Sequence, residues 1–267
     1  LVASPAGRTS ASEETPVSSS DWRRVFRWGA TFSSATIITG RVPADVTIDD
    51  GSAPVRDGAS IPLRWYTPAG RREDRPLLVY LHGGGWVQGS TRMYDPLCGH
   101  LAAELDAVVV SVDYRMAPEH RAPTASYDAI DVVRWLHDHA DHGVDRDRIG
   151  LCGDSAGGNL SAIVAQQLRD LRTSAGEPVI RHQALIYPAT DLTMSSPSIR
   201  EHSEGAILTE AKIIAFRAHY IGEADDAVAY ADPIVSPLFG DASGVAPESA
   251  PRMPGGPGSL AYPRTHV

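Results

Sequence analysis

The sequence predicts an α/β protein, a mostly parallel sheet covered by helices on both faces. Two observations carry this. Short apolar runs alternate with segments of helical spacing for most of the chain, the pattern of repeated strand–helix units. Two of those runs, at 77–81 and 107–112, are apolar nearly throughout, as strands buried on both faces are.

In chain order, residues 1–20 are rich in Ser, Thr, Pro and Ala and lack the basic-then-apolar order of a secretory signal, so they read as a disordered leader. Trp22, Val25, Phe26, Trp28 and Phe32 recur at spacings of three and four, which predicts an amphipathic helix within 21–40. Two early strands are expected at 46–48 and 61–66, bracketed by Gly and Pro. The strand at 77–81 is followed by a helix over 93–105, the strand at 107–112 and a helix over 127–139. A strand over 148–152 then leads into a helix from 156 to about 171 and a strand at 184–187. Residues 192–224 break this rhythm and read as an insertion with a helix over 207–220.

At 267 residues the chain can bury one substantial core. Its hydrophobic content of 42% and charged content of 21% are ordinary for a globular protein. A net charge of −9 argues against nucleic acid as a partner. Cys98 and Cys152 are too few for a disulfide framework, and Cys152 reads as a small buried hydrophobe. No apolar run reaches the roughly 18 residues of a membrane span, so no stable membrane insertion is expected, and a cytoplasmic location follows by default.

Gly153-Asp154-Ser155-Ala156-Gly157 carries the chemistry. The pattern G-x-S-x-G, set between a strand and a helix, reads as a nucleophile elbow that lifts the Ser155 hydroxyl out of the backbone. A second motif, His82-Gly83-Gly84-Gly85-Trp86, follows the 77–81 strand. Consecutive glycines allow close backbone approach and present bare N–H groups to an oxyanion. The spacing is not that of a dinucleotide loop, and no Gly-Lys-Ser/Thr follows. The Ala156 N–H, at the helix N-terminus, is a further donor. His82 precedes the serine, whereas after an elbow of this kind the base follows it in chain order, so His82 is expected to brace the loop by hydrogen bonding.

With Asp113-Tyr114-Arg115-Met116-Ala117-Pro118-Glu119-His120, Tyr187-Pro188 and Ser236-Pro237-Leu238, these motifs resemble the hormone-sensitive-lipase family of α/β-hydrolases in content and order, over roughly residues 45–245. The resemblance implies an α/β-hydrolase fold with a small helical cap built from 21–40 and 192–224, within a domain spanning 21–245. It implies hydrolysis of a small acyl-ester substrate with no cofactor. Ser155 is then the nucleophile, and Gly83, Gly84 and Ala156 are the oxyanion donors. Glu119 and His120 fall in the family stretch and are expected to organise loops. The resemblance also brings a homodimer through an edge strand into view.

The resemblance stops near residue 245. From Ala246 to Val267 there are five prolines and three glycines, and the only β-branched residues are Thr265 and Val267. Such composition does not form a central strand. The expectation is an irregular tail over 246–267 in a truncated or frameshifted family member, lacking the last strands and helix together with the triad acid and base. His182, His202, His219 and His266, and Asp232, Asp241 and Glu248, read as surface residues rather than replacements. Three readings follow: a serine carboxylesterase of impaired competence, a catalytically inactive ligand-binding protein on the same fold, and a fragment that does not fold stably because sheet edges are left unpaired.

Other features read as structural. His137-Asp138-His139-Ala140-Asp141-His142 suggests a metal site, but positions i and i+2 do not share a helix face, so a solvated helix end is expected and no metal. Trp86 is a candidate acyl-pocket wall, and Trp22 and Trp28 fit core or cap packing as well.

Overall fold

The computed structural model describes residues 40–70, 73–205, 208–222, 228–241 and 243. The expected leader, the helix within 21–40 and the 246–267 tail lie outside those residues, except for Gly40.

The valine run becomes strand β4 (Val108–Val112), buried along its whole length. Strand geometry sends alternate side chains to opposite faces. Val108, Val110 and Val112 therefore join one core cluster with Leu77, Val79 and Leu81 of β3 (Arg75–Leu81). Val109 joins Tyr80 and Cys152 in a second cluster on the other face. Helix α1 (Asp95–Leu105) covers the second cluster with Cys98 and Ala102. Helix α2 (Thr124–His139) covers the first with Ala125, Ala129, Val132, Val133 and Leu136. Burial pushes the Cys152 thiol up to about 11, which suits an inert core residue.

Strands β1 (Val46–Pro54) and β2 (Ser60–Pro68) form an antiparallel hairpin, and β2 pairs antiparallel with β4. Strands β4, β3, β5 (Val144–Asp154) and β6 (Ile180–Ile186) run parallel. The described sheet has the order β1-β2-β4-β3-β5-β6. The chain leaves β3 toward β4 on one side, while β5 returns on the other. Such a switch point opens a crevice at the carboxyl ends of the strands. Leu81 pairs with Gly153 there, so topology sets the glycine loop beside the elbow.

Helix α3 (Ala156–Gln167) starts at the elbow and packs Leu160, Ile163 and Val164 into the core. Its start needs glycine for steric reasons. A Cβ on Gly157 would lie 1.8 Å from the Leu81 carbonyl oxygen, and one on Gly153 would lie 2.4 Å from that of Gly157.

Element boundaries differ from expectation where a turn carries the apolar spacing. The helix expected over 93–105 opens as a 3₁₀ turn at Thr91–Tyr94 and becomes α-helical at Asp95, with Pro96 in its first turn. Helix α3 ends at Gln167 rather than near 171, because Leu168 and Leu171 are carried by a turn closed by the Leu171 N–H on the Leu168 carbonyl. The 192–224 segment holds a short helix, α4 (Pro197–Glu201), that the sequence did not announce, and α5 (Glu210–Ile221). Thr209 caps α5 by accepting the Lys212 N–H.

Two variants test this packing. Gly157→Ala is expected to destabilise the protein by about 3 kcal/mol, a Tm loss of ~6–12 °C by thermal melting, because backbone must move to admit one methyl. Asp128→Ala is expected to lower stability to urea by about 3 kcal/mol. The Asp128 carboxylate is 1% exposed and accepts from the Arg115 backbone N–H and guanidinium, so its loss strands part of a buried ion pair.

Candidate active site

Ser155 sits between β5 and α3 with φ 51° and ψ −116°, a conformation L-residues rarely hold. Its N–H donates to the Ile186 carbonyl at the end of β6, and its carbonyl accepts the Asn159 N–H. The residue is pinned from both sides while its side chain reaches a cleft of about 350 Å³. That volume suits a small ligand. Gly85, Trp86, Tyr187, Met194, Ile199 and Phe216 are among its walls. Trp86 therefore lines the cleft, as the sequence suggested. Helix α3 has no side-chain cap at this end, and the positive end of its dipole lies beside Ser155.

The glycine loop is held by a buried polar group. The Asp154 carboxylate accepts the Gly83 N–H at 2.9 Å, the Tyr80 hydroxyl at 2.8 Å and the Tyr94 hydroxyl at 3.0 Å. Burial, and then the nearby carboxylate, raise both phenols above their ordinary pKa, which keeps them as donors. The Gly83 N–H, expected among the oxyanion donors, is thus bonded to Asp154, with the Tyr94 hydroxyl oxygen 3.2 Å away.

Peptide planarity decides where the next two N–H groups point. The C=O and N–H of a trans peptide face opposite ways. The Gly83 carbonyl accepts from His82 Nδ1 at 2.8 Å, which turns the Gly84 N–H away from His82. The Gly84 carbonyl accepts the N–H groups of Val87 and Gln88, which turns the Gly85 N–H away from that turn. No acceptor among the described residues takes the N–H of Gly84, Gly85 or Ala156.

His82 is fully buried, stacked on Tyr114 at 4.5 Å, and its backbone carbonyl accepts the Tyr114 hydroxyl at 2.7 Å. Burial pushes its imidazole pKa down, against the smaller opposing effect of the Gly83 carbonyl. It is a neutral brace for the loop. The Asp113–His120 stretch supports the same loop through the Ala117 N–H on the Trp86 carbonyl. The His120 backbone N–H closes a turn on Met116.

Asn159 ties α3 to the loops that follow, its amide donating to the carbonyls of Ala189 and Val235. Ser236 accepts the Leu192 N–H and donates to the Tyr230 carbonyl. These bonds give the Ser236-Pro237 landmark a bracing role. Asp191 also lines the cleft. Burial pushes its carboxyl up, but hydrogen bonds from Thr193 and Ser195 outweigh this and hold it below the usual carboxylate range.

Helix α5 lies over the cleft. Tyr220 stacks on Trp86 with centroids 4.4 Å apart, and its carbonyl accepts the Ala122 N–H. The Phe216 ring sits over Gly85, 2.6 Å from where a Cβ there would lie.

Among the described residues no histidine lines the cleft, and Asp191 is its one carboxylate. His182 lies within β6, four positions before Ile186, the residue that pairs with Asp154. His202 follows α4, and His219 is on α5. His266 and Glu248 lie outside the described residues. Asp232 caps a turn through the Ile234 N–H, and Asp241 caps another through Ser243 and pairs with Arg169. In the 137–142 run, His137 Nδ1 faces the Arg146 carbonyl, His139 Nδ1 the Trp135 carbonyl, and His142 stacks on Trp65. No helix among the described residues is long and apolar enough to cross a membrane.

The sequence reading missed Asp154, Gly85, Phe216 and Tyr220. A carboxylate between a buried strand and a helix start was a legible signal for Asp154. The others depend on which loop meets which helix.

A family model described as the alpha/beta hydrolase fold matches residues 78–249. The ethyl acetate hydrolase of Pseudomonas putida is 39% identical over 226 residues, covering 82% of this chain and 67% of that enzyme. The carboxylic ester hydrolase LipN of Mycobacterium tuberculosis is 42% identical over 205 residues, covering 76% of this chain. This chain spans only 54% of LipN's length. The hyperthermophilic esterase of the archaeon Pyrobaculum calidifontis superposes with a TM-score of 0.73 at 37% identity, over 85% of this chain and 69% of that one. With this elbow, this sheet and these relatives, the chain belongs to the α/β-hydrolase fold family, in its hormone-sensitive-lipase group.

Proposed function

We propose that this chain carries the nucleophile and oxyanion half of a serine carboxylic-ester hydrolase. One observation carries the reading: Ser155, held in a strained conformation, opens on a cleft that Gly85 also lines, while the N–H groups of Gly85 and of its neighbour Gly84, and of Ala156 beside the serine, have no acceptor among the described residues. Ser155 Oγ attacks the ester carbonyl carbon. The oxygen of the tetrahedral intermediate takes hydrogen bonds from those three N–H groups, in place of the set that included Gly83. Collapse breaks the ester C–O bond, the departing oxygen takes up the proton that Ser155 gave up, and the acyl-serine left behind is cleaved by water, which supplies OH to the acid and H to the serine. This chemistry needs no cofactor.

Attack by serine also needs a base to take its proton. No histidine is among the described residues that line the cleft. The hydrolase and esterase names of the relatives favour this reading over a non-catalytic binder. The name of the P. putida relative supports a small acyl ester as substrate. In the same proposal 192–224 is part of a cap, since Leu208, Ile213, Phe216 and Arg217 wall the cleft from that side. The cytoplasmic location is kept, in keeping with two cysteines that are both free.

Ser155→Ala is expected to reduce hydrolysis of p-nitrophenyl acetate to the uncatalysed background. Equal rates for the two proteins would remove the hydrolase reading for this chain. Phe216→Ala is expected to raise the ratio of kcat/KM for octanoate over butyrate esters about tenfold. That is the value of roughly two extra buried methylenes at ~0.8 kcal/mol each. An unchanged ratio in a series of p-nitrophenyl esters would place the acyl chain away from this ring.

A further inference from the structure

We infer that Asp154 is a positioning residue for the oxyanion donors, coupling the glycine loop to the nucleophile through one side chain. The inference rests on the ester-hydrolase reading above and names how that site is held in register. Asp154 directly precedes Ser155, so its backbone moves with the nucleophile. Its carboxylate holds the Gly83 N–H at 2.9 Å, so the peptide entering the glycine loop is fixed to the residue beside the serine. The next peptide is fixed by His82 Nδ1 on the Gly83 carbonyl at 2.8 Å, and the one after by Val87 and Gln88 on the Gly84 carbonyl. Three successive peptide planes are thus oriented, and the first is held at its N–H by Asp154 and at its carbonyl by the Tyr114 hydroxyl.

The surroundings of Asp154 favour this role over plain core packing. It is 9% exposed and, among the described residues, its partners are neutral: the Gly83 N–H and the hydroxyls of Tyr80 and Tyr94. A buried carboxylate without a cation is costly, and an apolar residue would suit a purely structural position better. Space is also matched to it, because a Cβ on Gly83 would lie 2.2 Å from Asp154 Oδ2. The loop approaches this closely only as a glycine, onto a side-chain oxygen that accepts its N–H.

The test compares Asp154→Ala and Asp154→Asn with the wild type by kinetics on p-nitrophenyl butyrate, thermal melting, and amide resonances of Gly83, Gly84 and Gly85. Asp154→Ala is expected to lower kcat about 10²-fold with KM within about twofold, the signature of a lost transition-state contact rather than lost binding. Asp154→Asn keeps one oxygen acceptor and is expected to recover about tenfold of that loss. The Gly83 amide proton should move upfield in both variants, and those of Gly84 and Gly85 should shift with it. A folded Asp154→Ala protein with wild-type kcat, or with all three amides unmoved, overturns the inference. If that variant does not fold, Asp154→Asn decides on the same criteria. If the wild type turns over no ester, the hydrolase reading fails separately, and the amide shifts alone decide the positioning role.

Discussion

The arrangement at the carboxyl edge of the sheet depends on how closely α3 approaches the end of β3. The Leu81 carbonyl lies where a Gly157 side chain would begin, and the Gly157 carbonyl lies almost where one on Gly153 would. Backbone here packs directly on backbone. That contact leaves Ser155 no room for an ordinary strand-to-helix transition and forces its positive φ. The strain is offset by what surrounds it: apolar strands on both sides of β5, the packed face of α3, and hydrogen bonds to Ile186 and Asn159.

A second layer of support is polar and buried. Asp154, His82, Tyr114, Arg115 with Asp128, Asn159 and Ser236 each satisfy backbone groups that would otherwise be stranded in the interior. Several of them join segments far apart in the chain. Asp154 reaches Gly83, Asn159 reaches Val235, and Ser126 reaches the Ile234 carbonyl. The loops at this edge carry few backbone ladders of their own, so these side chains set their shape. Over them, α5 is fastened by aromatic stacking of Tyr220 on Trp86 and by Phe216 on the bare Gly85 backbone.

Much of this was legible in the chain. The valine run of β4, the apolar run of β3 and the G-x-S-x-G turn each carry their structure locally, through burial on both faces or through steric demand at one turn. Helix ends were less legible, because Leu168 and Leu171 continue a helical spacing within a turn. The glycine loop was legible as a loop of donors but not donor by donor. Gly83, Gly84 and Gly85 look alike in sequence, and only the Asp154 carboxylate, 71 positions away, separates the first from the others.

The sequence by itself determined the fold class, the serine and the loop that faces it, because hydrophobic periodicity and glycine sterics act over a few residues. Only the tertiary structure decided which N–H groups remain free, which ring covers the cleft and which carboxylate holds the loop. Those outcomes rest on hydrogen bonds and contacts between distant segments, brought together by the adjacency of β3 and β5 in the sheet and by the packing of α5 on Trp86. No local pattern encodes that adjacency.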